Sequence, residues 1–131
     1  MFSNSAATIG VSLAPSGNSW AAVSDRDRKK DIQPLDGPTI LDKLAGIPVT
    51  TWHYDFESTD STPHIGPMAQ DFKAAFYPGR DDKTISTMEF DGVALAAIQG
   101  LNEKLESKLE KKETEITELK RRLDALERLL K

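Results

Sequence analysis

The chain has no cysteine. That excludes disulfide staples, thiol nucleophiles and thiolate metal sites, so stability has to come from packing or oligomerisation. Its two histidines, His53 and His64, are too few and too far apart for a metal centre, and neither a metal nor a cofactor is expected. No apolar run approaches the roughly 18 residues of a membrane span, and the N-terminus lacks the basic segment of an export signal. A glycine-rich phosphate loop is also missing. With a formal net charge of -4 there is no general attraction to polyanions, so neither nucleic acid nor membrane is expected as a partner.

The sharpest absence is local. No Asp, Glu, Lys or Arg precedes Asp25, and all 17 basic and 21 acidic residues lie from there onward. A boundary is therefore expected within Val23-Ser24-Asp25-Arg26-Asp27-Arg28-Lys29-Lys30. Residues 1–23 are rich in Ser, Ala, Gly and Asn. They contain a strand-like run, Thr8 to Leu13, and a turn at Ala14-Pro15-Ser16-Gly17-Asn18. This segment cannot build a core alone and reads as the end of a larger β-rich structure plus a linker; a disordered terminus is the alternative for residues 1–7.

Beyond the junction, Ile32 and Leu35 are the first positions with the look of buried residues. Asp36-Gly37-Pro38-Thr39 opens a helix expected over 38–45, closed by Gly46 and Pro48. Ile47 to Tyr54 is β-branched and aromatic and predicts a strand; Glu57 to Pro63 is a polar loop, suited to a hairpin tip. Phe72, Ala75 and Phe76 share one face of a helix ended by Tyr77-Pro78-Gly79. Thr84 to Met88 predicts a short strand, with a helix opening at Glu89 to Gly92.

The pattern then changes. Leu95, Asn102, Leu109, Ile116, Leu123 and Leu130 recur every seventh residue, and Ile98, Leu105, Lys112, Leu119 and Leu126 form a second seam. Lys108 with Glu113, Glu115 with Lys120 and Arg122 with Glu127 place opposite charges at the spacing that bridges neighbouring parallel helices. A coiled coil over about 93–131 is predicted. A helix buried against its own domain is the plainer alternative, but about five heptads of narrow seam exceed what so small a domain could cover. The broader apolar face near Ala94 to Ile98 and Leu101 is expected to pack against the globular part as well. Asn102 and Lys112 interrupt the seam and set register; periodicity alone leaves two or three strands open.

One pair at the junction carries chemistry. A hydroxyl beside a neutral amine can cleave a peptide bond without His, Cys or metal, and Lys29 lies five positions after Ser24. The amine is a base only when unprotonated, a state favoured by desolvation or by neighbouring cations such as Arg28 and Lys30. Taken alone, such a spacing is more often an inert feature of a solvated loop. A nucleic-acid patch at Arg26, Arg28, Lys29 and Lys30 is disfavoured by the interleaved Asp25, Asp27 and Asp31.

Several motifs occur together and in order: Ser24-Asp25 with Lys29 and Ile32; His64-Ile65-Gly66-Pro67-Met68-Ala69-Gln70-Asp71-Phe72; and Phe90-Asp91-Gly92-Val93 leading through Ala97-Ile98-Gln99-Gly100-Leu101-Asn102 into the coiled coil. Over about Trp20 to Leu105 the chain resembles the C-terminal intramolecular chaperone domain of endosialidase tailspikes, the S74 peptidase family. The resemblance implies an α+β fold: a small mixed domain of short strands and helices followed by a long helix in a parallel trimeric coiled coil. It implies a homotrimer that helps an upstream client domain of the same polypeptide to fold, then releases itself between Val23 and Ser24. Ser24 is then the nucleophile and Lys29 its base. Asp25, His64 and Gln70 match further motif positions, and support of the cut site is expected of them. Asp27 and Arg28 depart from the family, which usually has a basic and an aliphatic residue there.

The organisation expected is thus a client remnant and linker over 1–23, a chaperone and autoprotease domain over 24–92, and a trimerisation helix over 93–131. Such domains act in the host cytoplasm on clients destined for a virion tail fibre or spike, or on bacterial surface proteins. The rival readings are a non-catalytic trimerisation module of a phage fibre or bacterial adhesin and a regulatory domain releasing an upstream DNA-binding segment, which residues 1–23 do not support.

Overall fold

A computed structural model describes residues 10–131. Two compact units, divided between Pro34 and Leu35, make up the chain. Of the strand-like run Thr8 to Leu13, Thr8 and Ile9 lie outside the described residues, as do the residues 1–7 read as a possible disordered terminus.

In the first unit, β1 (Val11–Ser12) pairs antiparallel with β2 (Ala21–Ala22), Val11 opposite Ala22 and Ser12 opposite Ala21. The intervening turn is closed by the Gly17 amide, which donates to the Ala14 carbonyl at 2.9 Å. The Val23 amide donates to Gly10 O at 3.0 Å, so the ladder runs up to the residue before Ser24. A single 3-10 turn, Arg26–Arg28, follows, and none of its residues is buried.

The second unit is a small mixed α/β domain with a long C-terminal helix. Helix α1 (Gly37–Ala45) begins where the Asp36 carboxylate accepts from the Thr39 amide at 3.3 Å and the Thr39 hydroxyl at 2.8 Å, satisfying amides the helix itself leaves open. Strands β3 (Thr50–Trp52) and β4 (His64–Gly66) pair antiparallel, with Trp52 opposite His64, so Glu57 to Pro63 is a hairpin loop as the sequence predicts. The strand expected over Ile47 to Tyr54 is shorter, because β4 offers only three partners; Ile47 instead joins the core.

Helix α2 (Ala69–Phe76) points Phe72 inward, fully buried, with Ala75 and Phe76 packed beside it. Phe72, Ile47 and Val93 form the core, with Ile40, Leu44, Tyr77, Ile85 and Phe90 around them. Burying a side chain of this size contributes about 1.5–3 kcal/mol, so α2 is held by one dominant anchor.

Helix α3 runs from Thr87 to Leu129, 43 residues or about 64 Å at about 1.5 Å per residue. It starts earlier than the sequence predicts, and the strand expected over Thr84 to Met88 does not form. Ser86 instead caps α3, its hydroxyl accepting from the Glu89 amide at 3.4 Å. Ser86-Thr87-Met88-Glu89 is a capping-box sequence, the signal that competes with the β-propensity of Ile85 and Thr87. The Glu89 carboxylate turns to cations rather than back to the cap. It accepts from the Lys73 ammonium at 3.0 Å and lies 3.5 Å from Arg80, tying α2 to the first turn of α3. Lys73 is buried, and this pairing compensates its charge.

The first part of α3 has two opposed faces. Val93, Ala96, Ala97 and Gly100 are buried against the unit, whereas Leu95 and Ile98 are each 63% exposed. One helical residue turns the face by about 100°, so Leu95 and Ile98 point roughly away from the stripe the domain covers. Of the face expected to pack against the globular portion, Ala96 and Ala97 do so, whereas Leu101 is 47% exposed. Ile32 and Leu35 differ from expectation: they are 66% and 69% exposed.

Candidate active site

Five residues of extended chain would span roughly 16 Å, well beyond the reach of a lysine side chain. The 3-10 turn folds that distance back. Asp25 precedes it in extended conformation and its Oδ1 accepts from the Asp27 amide at 3.0 Å. The Arg28 amide donates to Asp25 O at 3.2 Å and the Lys29 amide to Arg26 O at 3.1 Å, closing the turn. As a result Lys29 Nζ donates to Ser24 Oγ at 2.6 Å. The same short separation suits transfer of a proton from hydroxyl to amine once the amine is neutral.

Ser24, Asp25 and Lys29 are all exposed, and Val23 is half-buried. The single chain therefore supplies the geometry of a hydroxyl–amine pair without the desolvation that a lysine base requires. Arg28 is solvated as well, its guanidinium 4.0 Å from the Asp25 carboxylate.

His64 and Gln70 belong to the second unit. The His64 imidazole stacks on Trp52, centroids 4.7 Å apart, and its Nε2 lies 3.1 Å from Glu57 Oε1. Glu57 also accepts from the Tyr54 amide at 2.8 Å, so one carboxylate fastens both ends of the hairpin loop. The Tyr54 N–H, followed by the bond to His64, holds the Glu57 carboxyl below its ordinary value of 4.5. The other imidazole, His53, is occupied too, its Nε2 donating to Ser61 O at 3.0 Å.

Gln70 lines an open cleft of about 510 Å³ with Trp52, His53, Met68, Lys83 and Ile85. Glu57 was not legible as the partner of His64, since a carboxylate in a polar loop has no periodicity and the pairing depends on hairpin register. The seam side chains Leu95, Ile98, Leu105, Leu109, Ile116, Leu119, Leu123, Leu126 and Leu130 range from 49% to 88% exposed. At the polar seam positions, Asn102 Nδ2 donates to Glu106 at 2.9 Å and Lys112 Nζ to Glu115 at 2.7 Å.

The family model Peptidase_S74, chaperone of endosialidase, matches residues 24–79. Over that segment the chain is similar to the chaperone-of-endosialidase family. The match opens on Ser24 itself and takes in Lys29, the β3–β4 hairpin, His64, Gln70 and α2. Peptidase_S74 is a family of self-cleaving peptidases, and the match supports a chaperone role. No curated protein and no solved structure gives a match to the chain.

Proposed function

We propose that the chain is an intramolecular chaperone that trimerises through α3, helps an upstream β-rich fibre or spike domain of the same polypeptide to fold, and then cuts itself between Val23 and Ser24. The observation that carries the cleavage reading is the 2.6 Å contact of Lys29 Nζ with Ser24 Oγ, next to the end of a paired hairpin. In the reaction, neutral Lys29 takes the hydroxyl proton as Ser24 Oγ adds to the Val23 carbonyl carbon. The tetrahedral intermediate collapses with rupture of the Val23–Ser24 C–N bond, and the proton passes to the departing Ser24 amine. Water then adds to the Oγ ester, yielding a Val23 carboxylate and restoring the Ser24 hydroxyl.

Assembly is the natural source of the missing desolvation. A helix with an exposed leucine seam along most of its 43 residues calls for partner copies, and parallel strands would bring three junctions to one end. Aligning three chains costs entropy, which the coiled coil offsets before the upstream domain has to find its register. Once the chaperone is removed, the client keeps its fold through a slow unfolding rate rather than an equilibrium advantage. The setting would be host cytoplasm during assembly of a tail fibre or spike, or a bacterial surface protein.

Exposure of both Ser24 and Lys29 in the protomer favours one competing reading, a trimerisation module in which the pair is inert. Denaturing mass spectrometry of freshly synthesised chain separates the two. Cleavage yields a fragment beginning at Ser24; an intact mass in fully assembled oligomer would refute the peptidase reading.

A further inference from the structure

We infer that Asp25 is a positioning residue for this cleavage: its carboxylate holds the turn that delivers Lys29 to Ser24. The inference rests on the cleavage reading above. A three-residue 3-10 turn has poor hydrogen-bond geometry and little stability of its own. Here no residue of the turn is buried, so packing within the protomer does not hold it. What remains is local: the bonds from Arg28 N to Asp25 O and from Lys29 N to Arg26 O, a side-chain cap from Asp27 N to Asp25 Oδ1 at 3.0 Å, and the Lys29–Ser24 contact that the turn itself makes possible.

The carboxylate is committed away from Lys29. Oδ1 accepts the Asp27 amide, and Oδ2 is the atom nearest the Arg28 guanidinium at 4.0 Å, a distance at which an exposed pair contributes little. The geometry thus makes Asp25 a cap, and not the counter-charge of the lysine base. Caps are interchangeable by their acceptor oxygen rather than by charge: Asn and Ser serve about as well as Asp, and Ala does not. That ranking supplies the test.

The full chain carrying Asp25→Ala, Asp25→Asn or Asp25→Ser is synthesised beside wild type, and the first-order appearance of the Ser24 fragment is followed by mass spectrometry, with oligomer mass measured by light scattering. Loss of a cap corresponds to a fall of about fivefold, within a range of about twofold to thirtyfold, in the rate for Asp25→Ala, with assembly retained. Asn and Ser should stay within about threefold of wild type. An Ala variant as fast as wild type overturns the inference, and so does an Asn variant as slow as Ala, which would assign the role to charge. If Asp25→Ala fails to assemble, the Asn and Ser variants decide the matter on the same terms. A wild-type chain that assembles and stays intact would overturn the cleavage reading itself, and this inference with it.

Discussion

Gly37 and Gly100 meet backbone to backbone. A Cβ on Gly100 would lie 2.1 Å from both the carbonyl carbon and oxygen of Gly37, and one on Gly37 would lie 2.8 Å from the Gly100 nitrogen. The first turn of α1 therefore rests directly on α3, and an ion pair between Asp42 and Lys104 continues the contact. This seat joins the globular part to the long helix on the face opposite Leu95 and Ile98, which leaves those two side chains exposed.

Two alanine substitutions in one helix should have opposite signs. Gly→Ala inside a helix ordinarily stabilises by about 0.5–1 kcal/mol. At Gly92, where an added Cβ meets nothing within 4 Å, that gain is expected in full. At Gly100 the clash is with backbone, which cannot step aside as a flexible side chain would, and overpacking of this kind costs about 1–3 kcal/mol or more. Thermal melts of Gly92→Ala and Gly100→Ala should move apart; a stabilised Gly100→Ala would contradict the backbone contact.

The proposed cleavage requires both members of the candidate dyad. Ser24→Ala removes the nucleophile and Lys29→Met removes the base with little change in length, and each should leave only intact chain by mass spectrometry, a loss of at least about a hundredfold. Oligomer formation should persist in both. Residual cleavage at the wild-type rate in either variant would exclude the pair as the catalytic apparatus.

Assembly and cleavage should fail together. Leu109→Asp with Ile116→Asp places charges in the middle of the seam, where each copy would have to bury them unpaired. Sedimentation should then report a monomer at micromolar concentration, with the Val23–Ser24 bond intact. A proven monomer that still cuts itself would break the coupling between the stalk and the junction.

Glu57 should make the β3–β4 hairpin acid-sensitive. Its folded-state pKa lies below the ordinary 4.5, so its contribution is complete above that value and disappears as pH falls through the lower folded-state value. The melting-temperature difference between wild type and Glu57→Gln should be constant from about pH 6 down to about pH 5 and shrink below about pH 4, as the wild-type carboxyl takes up its proton. Near-ultraviolet circular dichroism from Trp52, which stacks on His64, reports the same hairpin. A difference that widens on acidification would reverse the sign and exclude the role.

The regular elements were legible because each is written in neighbouring residues. Asp36 and Pro38 announce α1, the polar loop from Glu57 announces a hairpin, and the heptads announce a stalk whose apolar seam is open along the protomer. The strand expected at Thr84 to Met88 shows the weakness of the same logic. There β-propensity and a capping box compete within a few residues, and the cap prevails because it begins a helix that packs Val93, Ala96 and Ala97.

Sequence alone determined the composition break at Ser24, the hydroxyl–amine spacing, the helix limits of α1 and the heptad seam, since all of these are local patterns of residue type. Tertiary structure decided which side of α3 meets the domain, that Gly37 and Gly100 touch, that Glu57 fastens His64, and that Ile32 and Leu35 stay exposed. Those outcomes are set by packing and by hairpin register rather than by local propensity. The dyad lies between the two cases: its spacing is visible in the letters, but the 2.6 Å contact exists because a capped turn folds five residues back on themselves.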